Sequence, residues 1–329
     1  MKLQGKRVLV TGGTGFIGSH LVERLIEQGC RVRVLANYRS QPSVGNLAFT
    51  PHGMMGQVEL TWGDLGDRDS VLRVIDGCEI VFHLAALIGI PYSYIAPGSY
   101  VQTNVVGTLN VLQAARTTGI ERLVHTSTSE AYGSAQYVPI DEKHPLVGQS
   151  PYSATKIAAD KLVESFACSF ALPVVTVRPF NVFGPRQSDR AIIPTIIAQR
   201  LAGSEEIEIG DPTPRRDFTY VTDTVDGFLK ACACDAAIGK TFNVGSGQSI
   251  SIAELADEIF ELTGGGRLIT SRQRVRPAAS EVRELLCDNR QARELLDWRP
   301  VISLKEGLLR TIEFVRLHSA LFAPRNYRV

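Results

Sequence analysis

Tyr152 and Lys156 stand four residues apart in Tyr152-Ser153-Ala154-Thr155-Lys156, where the apolar spacing predicts the start of a helix. At that spacing both side chains fall on one helix face. A tyrosine with an ordinary pKa of about 10 is a poor base at neutral pH. A neighbouring ammonium and the positive ring of an oxidised nicotinamide both favour its phenolate, and the pair then becomes a usable acid/base. Alone, a YxxxK is common on surface helices. Its meaning here depends on what precedes it, including Thr126-Ser127-Thr128 at the end of a predicted strand.

At the start of the chain, Thr11-Gly12-Gly13-Thr14-Gly15-Phe16-Ile17-Gly18 places a GxxGxxG between a predicted strand and a predicted helix. Glycines at such a turn let backbone N–H groups approach a pyrophosphate at a helix N-terminus. About 20 residues further on, a site specific for NAD usually carries an acidic residue for the ribose 2′-hydroxyl. Strand two instead ends Leu35-Ala36-Asn37-Tyr38-Arg39. Arg39 would meet a 2′-phosphate and favour NADP, whereas Asn37 would hydrogen-bond a hydroxyl, so the choice between NAD and NADP stays open. Asp64 and Leu65 follow a third strand and stand where the adenine edge would lie, although an Asp at a strand end also serves as a helix cap.

These residues need a scaffold, and the chain supplies a regular one. Short β-branched runs alternate with amphipathic stretches, the signature of βαβ units and a parallel sheet. The strands read as Arg7 to Val10, Arg31 to Leu35, Val58 to Trp62, Ile80 to Leu84, Leu123 to Thr126 and Val174 to Arg178, with helices starting near Gly15, Asp67, Gly98 and Tyr152. Continuous apolar runs such as Val8-Leu9-Val10 and Ile80-Val81-Phe82 fit strands covered on both faces. The expectation is an α/β, doubly wound parallel-sheet Rossmann fold with a smaller α/β C-terminal substrate lobe. After Pro179 the pattern breaks repeatedly at Pro and Gly, then gives a helix near Asp223, a strand at Thr241 to Val244, and helices from Ser251 and Ser303. This predicts residues 1–178, also receiving about 219–245, as the dinucleotide-binding part, and 179–218 with 246–329 as the nucleotide-sugar-binding lobe.

The 329 residues suffice for two such units, and 35 Lys+Arg against 34 Asp+Glu leave no overall positive field for nucleic acid or a membrane surface. The six cysteines are scattered, with no paired CxxC or Cys/His cluster, so no metal site is expected and free cytosolic thiols are the reading. Met1-Lys2-Leu3 leads directly into a strand without an apolar leader, which reads as a cytoplasmic protein.

TGGTGFIG, HLAA at His83 to Ala86, NVVGTLNVL at Asn104 to Leu112, YSATK and RPFNVFGP at Arg178 to Pro185 resemble the extended short-chain dehydrogenase/reductases over essentially the whole chain. The resemblance implies a tightly bound, recycled NAD or NADP. It would be held by Gly12, Gly15, Phe16, Ile17, Gly18, Asn37, Arg39, Asp64, Leu65, Leu84, Ala85, Ala86, Asn104, Thr126, Tyr152 and Lys156. It also implies Tyr152 and Lys156 as the catalytic pair, Thr128 orienting a sugar 4-hydroxyl, and Asn181 and Arg216 holding a nucleotide diphosphate. A homodimer is a further implication, through a four-helix bundle made by the helices after Gly98 and after Tyr152.

Within that family Thr128-Ser129-Glu130 discriminates between reactions. A 4-epimerase removes and returns one hydride and has no use for a carboxylate beside the C5–C6 edge. A 4,6-dehydratase needs a base at C5, and Glu130 would be that base. GDP-mannose 4,6-dehydratases carry a similar Thr-Ser-Glu, and dTDP-glucose 4,6-dehydratases a Thr-Asp-Glu. With Ser129 in place of that aspartate, the departing C6 hydroxyl would take its proton from Glu130 or a water. UDP-glucuronate decarboxylases also show a Thr-Ser-Glu and remain the alternative, with 4-epimerases. Arg276 to Val282 resembles the RPxEV segment of GDP-mannose dehydratases, where Arg276 would meet the diphosphate and Glu281 the ribose. Ala86 to Tyr100, with Ile88 and Tyr92 facing the sugar, and the stretch QSPYSATKIAAD resemble the nucleotide-GlcNAc 4,6-dehydratases of legionaminic acid biosynthesis; Ile193 is a further substrate contact by resemblance. A binding module that senses dinucleotide without turnover is the reading from another class, against which the complete Thr128, Glu130, Tyr152 and Lys156 set argues. The expected ligand is a UDP- or GDP-N-acetylglucosamine.

Overall fold

The computed structural model describes residues 1–38 and 43–323. The predicted strands form one parallel sheet of seven: β1 (Arg7–Thr11), β2 (Arg31–Asn37), β3 (Val58–Gly63), β4 (Ile80–His83), β5 (Arg122–Thr126), β6 (Val174–Pro179) and β7 (Thr241–Val244). Their order across the sheet is β7-β6-β5-β4-β1-β2-β3, so the order reverses beside β1. In register, Val8 lies opposite Val32 on one side and Ile80 on the other. Open α/β sheets of this kind bind ligands outside the carboxyl ends of the strands at that reversal.

The longer helices are α1 (Phe16–Glu27), α2 (Arg68–Ile75), α3 (Gly107–Thr118), α4 (Pro151–Phe170), α5 (Ile192–Leu201), α6 (Val221–Ala233), α7 (Ile252–Thr263) and α8 (Leu304–Leu317). Period-two alternation sends Val8 and Val10 to one face and Leu9 to the other. The first face packs under α1 and α6 through Leu21, Leu25, Val225 and Phe228. The second packs under α2, α3 and α4 through Val71, Val111, Val163 and Phe166. This three-layer arrangement explains why the strands are apolar throughout rather than alternating. A separate core of Phe183, Ile196, Ile197, Leu255, Ile259 and Leu308 joins α5, α7 and α8 with a parallel pair of strands, Glu206–Ile209 and Arg267–Thr270.

Helix starts are fixed by local chemistry. Ser150 and Ser153 make a reciprocal capping box at the start of α4, as Ser251 and Glu254 do at α7. Asp67 caps α2 and Ser303 caps α8 through their side chains. The helix expected after Gly98 runs from Pro97 to Thr118, but Val101–Val106 is a turn of π-helix within it. No helix among the described residues is long and apolar enough to cross a membrane.

Candidate active site

The carboxyl ends of β1, β4 and β5 meet at one edge, and the glycine-rich turn lies between β1 and α1. A Cβ on Gly18 would stand 2.1 Å from the Gly12 carbonyl oxygen, and one on Gly12, at φ +73°, would stand 2.7 Å from Ala85 N. Only glycine lets the turn close this tightly against β4. Gly15 caps α1 without any side-chain bond, so the N–H groups of its first turn keep no side-chain partner. This is a fitting cradle for a dinucleotide pyrophosphate.

Leu84, Ala85 and Ala86 continue from β4 beside this turn, and a polar chain fixes them. Thr108 Oγ1 donates to Asn104 O at 2.6 Å, so it must accept from His83 Nε2 at 3.0 Å. His83 Nδ1 is then the acceptor for the Thr11 hydroxyl at 2.8 Å, and Thr11 Oγ1 accepts from Ala85 N at 3.2 Å. Burial holds His83 well below its ordinary pKa, consistent with this neutral ring. Asn104, in the π turn, accepts from Leu87 N at 2.8 Å and donates to Leu87 O and Thr155 Oγ1. Its side chain is thus committed to shaping the loop after β4 and tying it to α4.

Tyr152 and Lys156 are both buried on the face of α4 that meets the end of β5. Lys156 Nζ donates to Thr126 O at 2.6 Å. Burial lowers its ammonium to about 8, with the Asp160 carboxylate pulling the other way. Burial also raises the Tyr152 phenol well above its ordinary value, while a hydrogen bond with Thr128 opposes this and the Glu130 charge adds to it. The tyrosine is therefore neutral as it stands, and further positive charge beside it would favour the phenolate. Thr128 also accepts from Glu130 N at 3.2 Å, shaping the turn Ser129–Tyr132 that carries Glu130. Glu130 is half-buried and makes no ion pair among the described residues.

Beneath the pair lies a buried network. Asp160 accepts from Ser127 Oγ at 2.6 Å, Arg178 Nη2 at 2.7 Å and His125 Nε2 at 3.1 Å. Burial opposes ionisation, yet the His125 bond and the Arg178 charge hold this carboxyl well below the usual range. Arg178 Nη1 reaches Tyr132 Oη at 2.8 Å, and Tyr132 donates to Asn243 Oδ1 at 2.7 Å, so the network runs from α4 across β5 and β6 to β7. From the sequence Ser127 and Arg178 stood out only as members of motifs, and no role was read for Asp160, His125 or Asn243. The available signal was polar residues, His83, His125 and Arg178, inside otherwise apolar strands.

The lobe approaches from the other side. Arg216 is buried and donates to Glu281 Oε1 at 2.9 Å, and Arg276 lies 3.6 Å from the same carboxylate, so the three charged residues expected to touch a nucleotide diphosphate stand together. Asn181 Oδ1 is buried without a partner among the described residues. Tyr92 and Ile88 are exposed on and beside the helix Ile90–Ile95, whose Tyr94 bonds Ser280 Oγ at 2.7 Å. Tyr92, Tyr100 and Tyr152 form a file of rings 6.2 Å and 6.3 Å apart. Arg190, another residue not singled out, places Nη1 3.9 Å from where a Cβ on Gly89 would stand. Ile193, by contrast, packs inside the lobe core, Leu65 is buried against α3, and Asp64 Oδ1 accepts from Gly66 N at 2.7 Å. Asn37 is exposed at the end of β2, Phe16 and Ile17 are half-buried at the start of α1, and Thr126 Oγ1 is buried without a partner among the described residues. Arg39 lies outside the described residues.

Comparison with known proteins agrees with this geometry. The family described as GDP-mannose 4,6 dehydratase matches residues 9–311. A UDP-glucose 4-epimerase of Mycolicibacterium smegmatis is 34% identical over 94% of this chain and 98% of its own. A UDP-N-acetyl-alpha-D-glucosaminuronate decarboxylase of Bacillus cytotoxicus is 32% identical over 94% and 98%. Among solved structures, the dTDP-glucose 4,6-dehydratase DesIV of Streptomyces venezuelae, with NAD bound, superposes with a TM-score of 0.87 at 28% identity, covering 97% of this chain and 99% of that one. With the glycine cradle, the Tyr152–Lys156 pair and a match over nearly its whole length, this chain belongs to the GDP-mannose 4,6-dehydratase family of nucleotide-sugar dehydratases and epimerases.

Proposed function

We propose that the chain is an NAD(P)-dependent 4,6-dehydratase of a nucleotide-diphosphate hexose, acting on UDP- or GDP-N-acetylglucosamine. The observation that carries this reading is Glu130, a half-buried carboxylate free of any ion pair among the described residues and close enough to Tyr152 for its charge to raise the phenol. Residues 1–178 with 219–245 bind the dinucleotide, and 179–218 with 246–329 bind the nucleotide sugar. The dinucleotide, when bound, supplies a hydride acceptor at C4 and a donor at C6.

Thr128 and Tyr152 hold the sugar 4-hydroxyl, and the Tyr152 phenolate takes its proton as C4 becomes a ketone. Lys156 favours the phenolate through its charge. The ketone acidifies the C5 proton, Glu130 takes it, and the C–O bond at C6 breaks to release hydroxide, which leaves as water with the proton returned by Glu130. As C6 then gains the hydride, C5 takes a proton from water and Tyr152 gives its own proton back to water, restoring the phenolate. Ser129, at the start of the same turn, completes the catalytic set beside Glu130. Asn181, Arg216, Arg276 and Glu281 hold the nucleotide diphosphate, the arginines as the cationic partners that phosphates require. Tyr92 and Ile88 form the apolar wall on the sugar side. Pairing of the Pro97–Thr118 helix and α4 with a second copy makes the protein a homodimer. The test is incubation of the purified protein with UDP- and GDP-N-acetylglucosamine and catalytic NAD or NADP, reading product mass. Loss of one water supports the reading, and an isomer of unchanged mass counts against it.

One observation favours a second reading, C6 decarboxylation of a uronic acid. Arg190 stands beside Gly89, and its charge reaches the Tyr100 phenol next to Tyr152. A guanidinium there would suit a sugar carboxylate. Turnover of UDP-glucuronate with release of carbon dioxide would decide for it.

A further inference from the structure

Behind the glycine-rich turn, three segments distant in sequence meet around Arg186. Residues 43–49 return from beyond β2 and cross the turn: Asn46 N donates to Thr14 O at 2.9 Å, and a Cβ on Gly45, at φ +56°, would stand 2.5 Å from that oxygen. Leu47 anchors this segment in the core beside α1. Arg186, on the connection between β6 and α5, reaches over to it. Its guanidinium donates to Phe49 O at 2.9 Å, to Glu23 Oε1 of α1 at 2.5 Å and to Ser19 Oγ at 3.3 Å, while its own carbonyl accepts from Asn46 Nδ2 at 3.0 Å. The Arg186 and Glu23 side chains are only 8% and 14% exposed. His20, held neutral at about 4 chiefly by burial, meets Pro185 O with Nε2 at 3.1 Å. On the outer side Phe49 packs against Phe314 and His318 at the end of α8.

Arg186 adopts φ +71°, a left-handed conformation that costs a non-glycine residue free energy and persists only where its surroundings impose it. None of these groups takes part in the chemistry assigned above. They join α1, the segment over the turn and the lobe into one bracket at the adenosine end of the cradle, since the end of β2 is where a Rossmann fold meets that ribose. A reaction that removes a hydride and later returns it cannot tolerate loss of reduced cofactor between the two steps. We propose that Arg186 is a positioning residue that clamps residues 43–49 over the glycine-rich turn and so sets the rate at which dinucleotide leaves. This rests on the dinucleotide reading of the cradle.

The test is displacement of NADH and NADPH from wild type, Arg186→Gln, Arg186→Lys and Asn46→Ala, followed by nicotinamide fluorescence. Arg186→Gln removes the three charge-assisted bonds of the guanidinium and should release cofactor about tenfold faster or more. Arg186→Lys, a point charge that cannot span both Glu23 and Phe49, should fall between it and wild type. Asn46→Ala breaks one bond from the partly exposed side and should quicken release about threefold, and it decides the matter if Arg186→Gln fails to fold. Unchanged release in the folded variants overturns the clamp. Failure of wild type to hold either dinucleotide overturns the cradle reading itself, and the clamp with it.

Discussion

Replacing Asp160 by Asn should be among the most damaging single changes in the protein. Asp160 accepts from three donors, and its partner Arg178 has a side chain only 5% exposed. An Asn can keep its oxygen toward Ser127 and Arg178 and turn its NH2 to His125 Nε2, but it leaves the buried guanidinium without a counter-charge. Stranding a buried cation in this way costs about 3–5 kcal/mol. The Lys161–Glu164 pair, one residue on and 61% exposed at both ends, is the control, and Lys161→Ala should cost no more than about 0.5 kcal/mol. Urea unfolding of both variants and wild type at neutral pH measures the two differences. The pH dependence has a definite sign. The folded carboxyl is held below its ordinary value, so its stabilisation is complete above the unfolded pKa of about 4 and erodes as pH falls toward the folded one. Asp160→Asn should lose this part of the acid sensitivity. A cost below about 1 kcal/mol, or an acid limb unchanged in Asp160→Asn, would refute the argument that this ion pair holds α4 to β5 and β6.

Further outcomes follow from the same geometry. Glu130→Gln should cut turnover at least about a hundredfold while C4 oxidation still proceeds, visible as accumulating reduced-nicotinamide absorbance with substrate present. Tyr152→Phe should abolish that absorbance as well. Burial holds Lys156 at about 8, so between there and its unfolded value of about 10.4 the unfolded chain binds more protons, and stability from this group rises with pH over that interval. Lys156→Met should remove the rise in unfolding measurements without cofactor. Gly18→Ala would put a methyl 2.1 Å from Gly12 O and should abolish dinucleotide binding by calorimetry. Arg190→Met should leave turnover of a neutral hexosamine nucleotide within about threefold but raise KM for a uronate at least about tenfold, the split that separates the two functional readings.

Most of the sheet was legible because its signals are local. Apolar runs bounded by Gly, Pro and Asp gave strands within a residue or two of β1–β6, and Thr241–Val244 as expected; Asp67, Ser251 and Ser303 gave helix starts, while the helix read from Tyr152 begins at Pro151 behind the Ser150 cap. The placing of Tyr152 and Lys156 on one buried helix face was legible for the same reason, since a spacing of four residues on a helix fixes a face. What sequence could not give are features that exist only through contact. The π turn at Val101–Val106 carries Asn104, whose side chain is held by Leu87 and Thr155, partners distant in sequence. The Asp160–Arg178 network joins residues eighteen apart in sequence across a helix and a strand, and Arg186 gains meaning only when residues 43–49 fold back on it. Ile193 shows the converse: an apolar residue expected to touch a ligand and one that fills a core look alike in sequence, and Ile193 packs with Phe183, Ile196 and Ile259.

The central claim is that a hydride leaves C4 and returns at C6 with loss of water. Substrates carrying deuterium at C4, UDP- and GDP-N-acetylglucosamine, test it directly in one turnover with unlabelled cofactor. The account predicts a 4-keto product lighter by one water with the deuterium at C6. Deuterium back at C4 in a product of unchanged mass would contradict it and make the enzyme an epimerase.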